Sequence, residues 1–258
     1  MISREELFLN IKNTEKFYVA VIGGGASGLG VALYDVSRGF KTVLFEGVDF
    51  SKGTSSKSTK LVHGGVRYLA QGNLSLVTEA LEERGLLSKN ARHLFKNQTF
   101  IIPNYRWWQG YYYAFGMKLY DLLSKKLSLG KSTLISKTET LDNLPTIKSS
   151  NLHSGVTYQD GQFDDARLAI NLAQTILEQG GLVLNHAKVI DLNKTNTVVD
   201  GVKILDNETN ETFDFRSKIV INATGIFTDD ILQKNAIKLE WKYLFLFFYN
   251  QQHNYQIF

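Results

Sequence analysis

The chain has 258 residues, of which 43% are hydrophobic and 21% charged, with a formal net charge of +4, and this fits one large globular domain or two small ones. Because its basic residues are interleaved with acidic ones and no nucleic-acid-binding motif accompanies them, the charge suits an anionic small molecule or a membrane surface, and we expect no nucleic-acid partner. The absence of cysteine excludes disulfides and thiolate chemistry, and the five scattered histidines lack metal-ligand spacing, so we expect no metal site.

Residues 1–16 predict a short amphipathic helix or arm. Charged residues interrupt its apolar ones, and it lacks the apolar core of a secretory signal peptide. We therefore expect a protein that is not secreted, and the absence of cysteine suits a reducing, cytoplasmic setting.

Strand, tight turn and helix follow one another in the next segment. The apolar run 18–22 meets a glycine turn, and a helical pattern begins directly after it. In such a turn Gly23 permits the bend, Gly25 lets the backbone approach a pyrophosphate, and Gly28 lets the helix pack closely on the strand. Ser27, in the first helical turn, can cap the helix or contact phosphate. The pattern predicts a dinucleotide site.

A second apolar run, residues 41–45, ends at Glu46. An acid about 20 residues after the glycines accepts hydrogen bonds from both ribose hydroxyls of an adenosine. It also repels a 2′-phosphate, so NADP is the least expected ligand. The alternative interpretation is a glycine-rich turn in an ordinary α/β protein.

The loop 47–60 is rich in small hydroxyl residues, which is typical of a solvated surface loop. The residues after it differ: His63, Gly64, Gly65, Arg67 and Tyr68 combine an imidazole, a glycine pair, a cation and a phenol. This combination indicates a place where the backbone passes close to another group.

Residues 74–94 predict an amphipathic helix whose charged residues form a solvent-exposed face, and residues 99–103 predict a strand. Residues 105–120 are dense in aromatic side chains and are followed by lysines. A buried aromatic cluster is the favoured interpretation, and an interfacial patch that faces lipid is the alternative.

The later segments predict further strands and one strong helix. The sequence predicts a strand at 156–158, followed by a turn at Asp160 and Gly161. Asp164 and Asp165 precede a helical pattern and are interpreted as caps of that helix. General-base catalysis is the alternative role for Asp164 and Asp165. We expect the helix at 166–179, a strand pair within 182–192, antiparallel strands at 198–205 and 211–215, and a buried strand at 219–221.

Several of these stretches together carry a family resemblance. They are IGGGASGLG, TSSKSTKLVHGGVRYLAQGNLSLVTEALEERGLL, YQDGQFDDARLAINLAQTILEQGG and VINATGIFTDDIL. They closely resemble the aerobic, FAD-dependent glycerol-3-phosphate dehydrogenases, which are D-amino-acid-oxidase-like flavoproteins. The resemblance extends from residue 18 to about residue 232.

The resemblance implies an α/β fold. We expect a Rossmann-like FAD-binding domain, with a mostly parallel sheet and helices on both faces, plus part of a mixed-sheet substrate domain. The expected boundaries are 17–95 and 156–233 for the two parts of the FAD-binding domain, 96–155 for a cap or substrate-domain insertion, and 234–258 for an aberrant tail.

The resemblance also implies an activity. It is the FAD-dependent oxidation of sn-glycerol 3-phosphate to dihydroxyacetone phosphate in glycerol catabolism, with electrons passed to quinone. The family is attached peripherally to the inner (cytoplasmic) membrane, and a homodimer is a candidate assembly. The alternatives are a peroxide-forming glycerol-3-phosphate oxidase and a non-catalytic FAD-binding remnant. An NAD-dependent dehydrogenase would share the glycine turn but has no use for TSSKSTKLVHGGVRY.

By position in the family, Arg67 holds the substrate phosphate, Tyr68 lines the same pocket, and His63 either assists removal of the C2 hydroxyl proton or only contacts the flavin. At the place of Val189 the family offers backbone groups to the adenine. The cofactor-binding residues implied are Gly23, Gly25, Ser27, Gly28, Glu46, Thr54, Ser55, Ser56, Lys60, His63, Gly64, Gly65, Val189, Ala223, Thr224, Gly225 and Asp229.

The tail after residue 233 does not resemble the family. Residues 241–249 are almost wholly apolar and aromatic, yet too few to span a membrane. We expect a truncated or frame-shifted gene and a tail that packs poorly or aggregates.

Overall fold

The structure, a computed structural model, describes residues 3–124, 127–234 and 246–248. In chain order the elements are α1 (Arg4–Lys12), β1 (Phe17–Ile22), α2 (Ala26–Ser37), β2 (Thr42–Phe45), β3 (Leu61–Val62), α3 (Val66–Ala70), α4 (Leu74–Asn90), β4 (Phe95–Asn104), α5 (Gln109–Leu123), β5 (Thr133–Ser136), α6 (Lys137–Asn143), β6 (Ser154–Phe163), α7 (Asp165–Glu178), β7 (Leu182–Leu184), β8 (Ala187–Thr195), β9 (Val198–Asp206), β10 (Thr212–Asn222), α8 (Thr228–Lys234) and β11 (Leu246–Phe248). Short 3-10 turns lie at Thr54–Ser56 and Gly225–Phe227.

The chain divides into two compact units. The first comprises Met1–Ser58 and Asp165–Phe258, and the second comprises Thr59–Asp164. These limits differ from the boundaries expected at 95/96 and 155/156. The reason is strand pairing, because β3 and β4 both pair with β6 and so belong to one sheet.

In the described part of the first unit, seven strands form a sheet in the order β7-β2-β1-β10-β9-β8, with β11 also paired with β10. The strands β7, β2, β1 and the end of β10 run parallel. The strands β8 and β9 and the start of β10 form an antiparallel ribbon, as predicted for the last two. The strands predicted within 182–192 are present as β7 and β8, but they do not pair with each other, because β7 joins β2 and β8 joins β9.

Both faces of β1 are buried. On one face Val21 packs with Leu29 of α2 and with α7, and on the other Ile22 shares a core with Phe45 and Phe215. The rings of Phe45 and Phe215 stack with centroids 5.3 Å apart. A strand buried on both faces reads as a continuous apolar run, as this one does. The predicted α/β class is confirmed. On the face of β1 opposite α2, residues of the antiparallel ribbon and of the helices α1 and α8 together cover the sheet.

In the second unit β6 is the central strand, with β4 along one edge and β3 and β5 along the other. The helices α4 and α5 pack on this sheet through a core that contains Val77, Leu81, Met117, Tyr120 and Val156. The helix predicted at 74–94 and the strand predicted at 99–103 correspond to α4 and β4.

The turn predicted at Asp160 and Gly161 is wrong, since both residues lie within β6. Asp160 pairs with Gln98, and Gly161 is paired on both sides. A Cβ at Gly161 would lie 2.4 Å from the ring of Phe95 and 2.5 Å from Val62, so glycine here allows close approach of neighbouring strands.

The prediction of a buried aromatic cluster at 105–120 is also wrong. Trp107, Tyr111 and Phe115 are 74%, 70% and 76% exposed, whereas Met117 and Tyr120 are buried. The helix α5 turns one apolar side to the core and leaves the other uncovered.

The predicted tail lies outside the described residues, apart from Lys234 at the end of α8 and the strand β11. Within the ranges described, each helix is too short or too polar to cross a bilayer. The same residues bring together no group of three His, Cys, Asp or Glu that could hold a metal ion.

Candidate functional site

The turn between β1 and α2 brings three backbone segments into close contact. Gly23 has a φ of +111°, and a Cβ there would lie 2.6 Å from the carbonyl oxygen of Ala223. A Cβ at Gly28 would lie 1.9 Å from the carbonyl oxygen of Gly23. Both positions therefore require glycine, Gly23 for its conformation and its contact, and Gly28 for close packing of helix on strand.

The first turn of α2 offers backbone donors. The N–H of Ala26 donates to Ser55 Oγ at 2.9 Å. The N–H groups of Gly25, Ser27 and Gly28 meet no acceptor among the residues that the structure describes. Such groups at the positive end of a helix dipole are suited to bind phosphate. The exposed Ser27 side chain adds a hydroxyl to the same turn, so these residues fit the pyrophosphate of a dinucleotide.

Glu46 follows β2 directly and is half-buried. Its carboxylate accepts the N–H of Gly24 at 2.7 Å through one oxygen and the N–H of Val48 at 2.8 Å through the other. A carboxylate oxygen has two lone pairs, so each oxygen retains one for a ligand. Glu46 thus fits the predicted ribose contact, and it also braces the glycine turn, a role that the sequence reasoning missed.

The end of β10 lies beside the glycine turn. The N–H of Ala223 donates to the last carbonyl of β1 at 2.8 Å. The hydroxyl of Thr224 donates to Asn222 Oδ1 at 2.7 Å, and Gly225 has a φ of +60°. Asp229 is exposed in the first turn of α8.

The remaining predicted residues of the first unit lie on two further segments. Thr54, Ser55 and Ser56 form a 3-10 turn, from which Ser55 reaches α2. Val189 is buried in β8, two residues after Ala187, whose N–H donates to the Glu46 carbonyl at 2.8 Å. The first unit therefore brings the glycine turn, Glu46, Ser55 and Ala223 together, whereas Lys60, His63, Gly64, Gly65, Arg67 and Tyr68 lie in the second unit.

In the second unit, residues 63–65 form a turn before α3, here called the 63–65 turn. Gly65 has a φ of +70°, and a Cβ there would lie 2.6 Å from the ring of Tyr68. Its N–H donates to His63 Nδ1 at 3.2 Å. An Nδ1 that accepts carries no proton, so the neutral ring of the exposed His63 holds its proton on Nε2 and presents a donor there. Lys60 precedes the turn with a φ of +60°, and the role of Arg67, in α3, stays a prediction.

A buried polar network fixes the N–H of Gly64. This N–H donates to Tyr120 Oη at 2.8 Å and to Asp160 Oδ1 at 3.3 Å. The Tyr120 hydroxyl donates to Asp160 Oδ2 at 3.1 Å, and Arg84 forms an ion pair with Asp160 at 2.8 Å. Burial and the charge of Asp160 raise the pKa of Tyr120 far above its usual value, although Arg84 opposes the shift. The hydroxyl therefore keeps its proton for Asp160.

The sequence alone does not predict this network. Its one local signal is Arg84, which lies three residues after Leu81 and seven after Val77, on the apolar stripe of α4. A cation on the stripe of an amphipathic helix predicts a buried partner, because an unpaired buried charge is costly. Asp160 is that partner, but it lies on a distant strand.

Comparison with known proteins confirms the resemblance seen in the motifs. The sequence model of the family described as FAD dependent oxidoreductase matches residues 18–245. The protein named mitochondrial glycerol-3-phosphate dehydrogenase from Homo sapiens is 44% identical over 89% of this chain and 33% of its own length. Its namesake from Saccharomyces cerevisiae is 43% identical over 90% of this chain and 37% of its own length. The chain thus spans about a third of the length of these curated relatives.

Solved structures agree with the sequence comparison. The crystal structure of the glycerol-3-phosphate dehydrogenase from Bacillus halodurans complexed with FAD has a TM-score of 0.70 and 29% identity, and covers 91% of this chain and 39% of that one. The L-alpha-glycerophosphate oxidase from Mycoplasma pneumoniae with FAD bound has a TM-score of 0.62 and 18% identity, and covers 86% and 57%. The latter likeness shows the fold alone.

Proposed function

The chain belongs to the family of FAD dependent oxidoreductases, and from this premise we propose that it binds FAD and oxidises sn-glycerol 3-phosphate to dihydroxyacetone phosphate. The observation that carries the proposal is 44% identity with a glycerol-3-phosphate dehydrogenase over 89% of the chain. We further propose that the electrons pass to quinone, as the motif resemblance implies.

Residues of the first unit would hold the cofactor. The N–H groups of Gly25, Ser27 and Gly28 suit its pyrophosphate, and the remaining lone pairs of Glu46 suit its ribose hydroxyls. When bound, FAD supplies a ring that accepts hydride, while the protein supplies binding, orientation and charge.

Residues of the second unit would bind the substrate. Arg67 suits the phosphate, because its planar guanidinium makes paired, charge-assisted hydrogen bonds, and Tyr68 would line the same pocket. The hydrogen bond from Gly65 to His63 Nδ1 supports a donor role for His63 Nε2 toward an oxygen of substrate or flavin. Removal of the C2 hydroxyl proton by His63 would first require that bond to break, since Nε2 already carries the proton.

The test is the absorption spectrum of the purified chain before and after anaerobic addition of sn-glycerol 3-phosphate. The expected result is a yellow protein whose flavin band bleaches. A colourless protein would refute FAD binding, and a yellow protein that does not bleach would support a non-catalytic FAD-binding chain. We expect Arg67→Ala to stay yellow and to bleach at least about tenfold more slowly, because a phosphate contact is lost. The matched control, Arg92→Ala, removes an exposed cation elsewhere in the same unit and should bleach normally.

The electron acceptor is decided by reoxidation of the bleached protein. A quinone analogue in the absence of oxygen should restore the yellow colour within the turnover time. Fast reoxidation by oxygen with release of peroxide would instead identify a glycerol-3-phosphate oxidase.

We also propose that α5 contacts a membrane surface. Tyr111, Phe115, Lys118 and Leu122 recur at helical spacing on its exposed side, and an aromatic stripe with a basic residue suits the lipid interface. Sedimentation with anionic lipid vesicles should fall severalfold in Phe115→Ser, and equal sedimentation of the variant would refute this contact. The cytoplasmic location and the homodimer stay predictions, and the curated relatives compared above are named mitochondrial.

A further inference from the structure

Four elements of the second unit meet at Gly64. The 63–65 turn supplies its N–H, α5 supplies Tyr120, β6 supplies Asp160 and α4 supplies Arg84. A Cβ at Gly64 would lie 2.3 Å from Leu81 Cδ2 and 2.4 Å from Tyr120 Oη. The backbone at Gly64 is therefore fixed both by hydrogen bonds and by close packing.

Stability alone does not account for these charges. The side chains of Arg84 and Asp160 are only 1% and 3% exposed, and Arg84 Nε has no partner among the described residues. Removing two charges from water costs about as much as their attraction returns, so apolar residues of similar volume would serve stability as well. The ion pair instead fixes the orientation of the Asp160 carboxylate, so that it accepts hydrogen bonds from both the Tyr120 hydroxyl and the Gly64 N–H.

We propose that Tyr120 and Asp160, oriented by Arg84, are positioning residues for the 63–65 turn. By fixing Gly64 they aim the next N–H, that of Gly65, at His63 Nδ1, and this bond keeps the His63 proton on Nε2. The inference rests on the proposed function for its consequence, since a fixed donor at Nε2 has a use only if His63 acts on substrate or flavin.

The test compares two phenol-to-phenyl substitutions. Tyr120→Phe removes the hydroxyl that accepts from Gly64 and keeps the ring in the core. Tyr158→Phe is the matched control, because its ring meets that of Tyr120 edge-on at 6.5 Å but its hydroxyl makes no hydrogen bond within the described residues. Both variants keep the Arg84–Asp160 ion pair.

The first measurement is amide hydrogen exchange of peptides that cover the 63–65 turn. Loss of one net hydrogen bond should speed local exchange at Gly64 and Gly65 about three- to tenfold in Tyr120→Phe, because Asp160 remains as a longer acceptor at 3.3 Å. Exchange in Tyr158→Phe should match the wild type. Unchanged exchange in Tyr120→Phe, or a rise spread over both units, would overturn the anchoring claim.

The second measurement is the rate of flavin reduction by sn-glycerol 3-phosphate. Tyr120→Phe should keep its flavin, lower the limiting rate about tenfold and change the apparent substrate affinity less than about twofold, because a misplaced donor costs rate rather than binding. A normal limiting rate despite faster exchange would overturn the positioning role. If the wild-type protein is not reduced at all, the proposed function fails, while the exchange comparison still decides whether Tyr120 anchors the turn.

Discussion

Gly28→Ala should disrupt the glycine turn severely. The new Cβ would lie 1.9 Å from the carbonyl oxygen of Gly23 and 3.3 Å from the Cβ of Ala223. The clashing atom is backbone, so it cannot rotate away, and α2 must retreat by about 1 Å or more. Overpacking of this kind costs typically about 1–3 kcal/mol, and we expect the upper end. The same retreat displaces the N–H groups that would hold the pyrophosphate, so FAD affinity should fall with stability.

Gly30→Ala is the control for this prediction, because it adds the same methyl group to the same helix and meets nothing within 4 Å. Alanine in an exposed helical position should stabilise by about 0.5–1 kcal/mol. Urea unfolding of the flavin-free proteins should thus separate the two variants by about 3–4 kcal/mol, and fluorescence titration with FAD should rank them in the same order. Equal unfolding midpoints, or normal FAD affinity in Gly28→Ala, would refute the close approach on which the reasoning depends.

Three further variants test other parts of the molecule. Glu46→Ala should weaken FAD binding by about 1.5–3 kcal/mol, and because Glu46 also accepts the N–H of Gly24, it should lower the unfolding midpoint of the flavin-free protein; normal flavin content would exclude the ribose role. Asp160→Asn leaves Arg84 buried without a counter-charge and should cost about 3–5 kcal/mol in urea unfolding, so a loss below about 1 kcal/mol would contradict the burial of the pair. Burial raises the pKa of Asp35 from 3.8 to about 6, so the folded state binds a proton more tightly than the unfolded state and stability falls as pH rises from 3.8 to about 6. Asp35→Asn should remove this fall and raise the melting temperature at pH 7, and an unchanged pH profile would show that the carboxyl is solvated.

The sequence predicts best where structure is local. Between residues 17 and 46 the strand, the turn, the helix and the second strand follow from glycine spacing and from two apolar runs, and the structure has all four. The sequence does not predict the double role of Glu46, because its bond to Gly24 depends on the separation of two parallel strands. The wrong prediction of a turn at Asp160 also reflects contacts between distant residues. An Asp–Gly pair favours a turn locally, but pairing with β3 and β4 holds Asp160 and Gly161 in the extended strand β6.

The aromatic segment shows a different limit. Large apolar side chains are usually buried, which favoured a buried cluster, yet helical spacing separates Met117 and Tyr120 from Tyr111 and Phe115. When a helix packs through only one side, the aromatic residues on its other side stay exposed, so a high aromatic content does not by itself indicate that the segment is buried. The network at Gly64 escaped prediction because its members are far apart in sequence, and only the fold brings them together.

The missing glycine side chain has a different consequence in each of the two glycine-rich turns. At Gly28 the missing Cβ lets α2 approach β1, while nearby N–H groups have no acceptor among the described residues and can bind a ligand. At Gly64 the missing Cβ lets the backbone reach Tyr120, and the Gly64 N–H already donates a hydrogen bond to the Tyr120 hydroxyl. A free donor can bind an anion, whereas a satisfied donor can only fix the backbone. Added phosphate or pyrophosphate should therefore slow amide exchange at Gly28 and leave exchange at Gly64 unchanged, and protection of Gly64 by these anions would contradict the distinction.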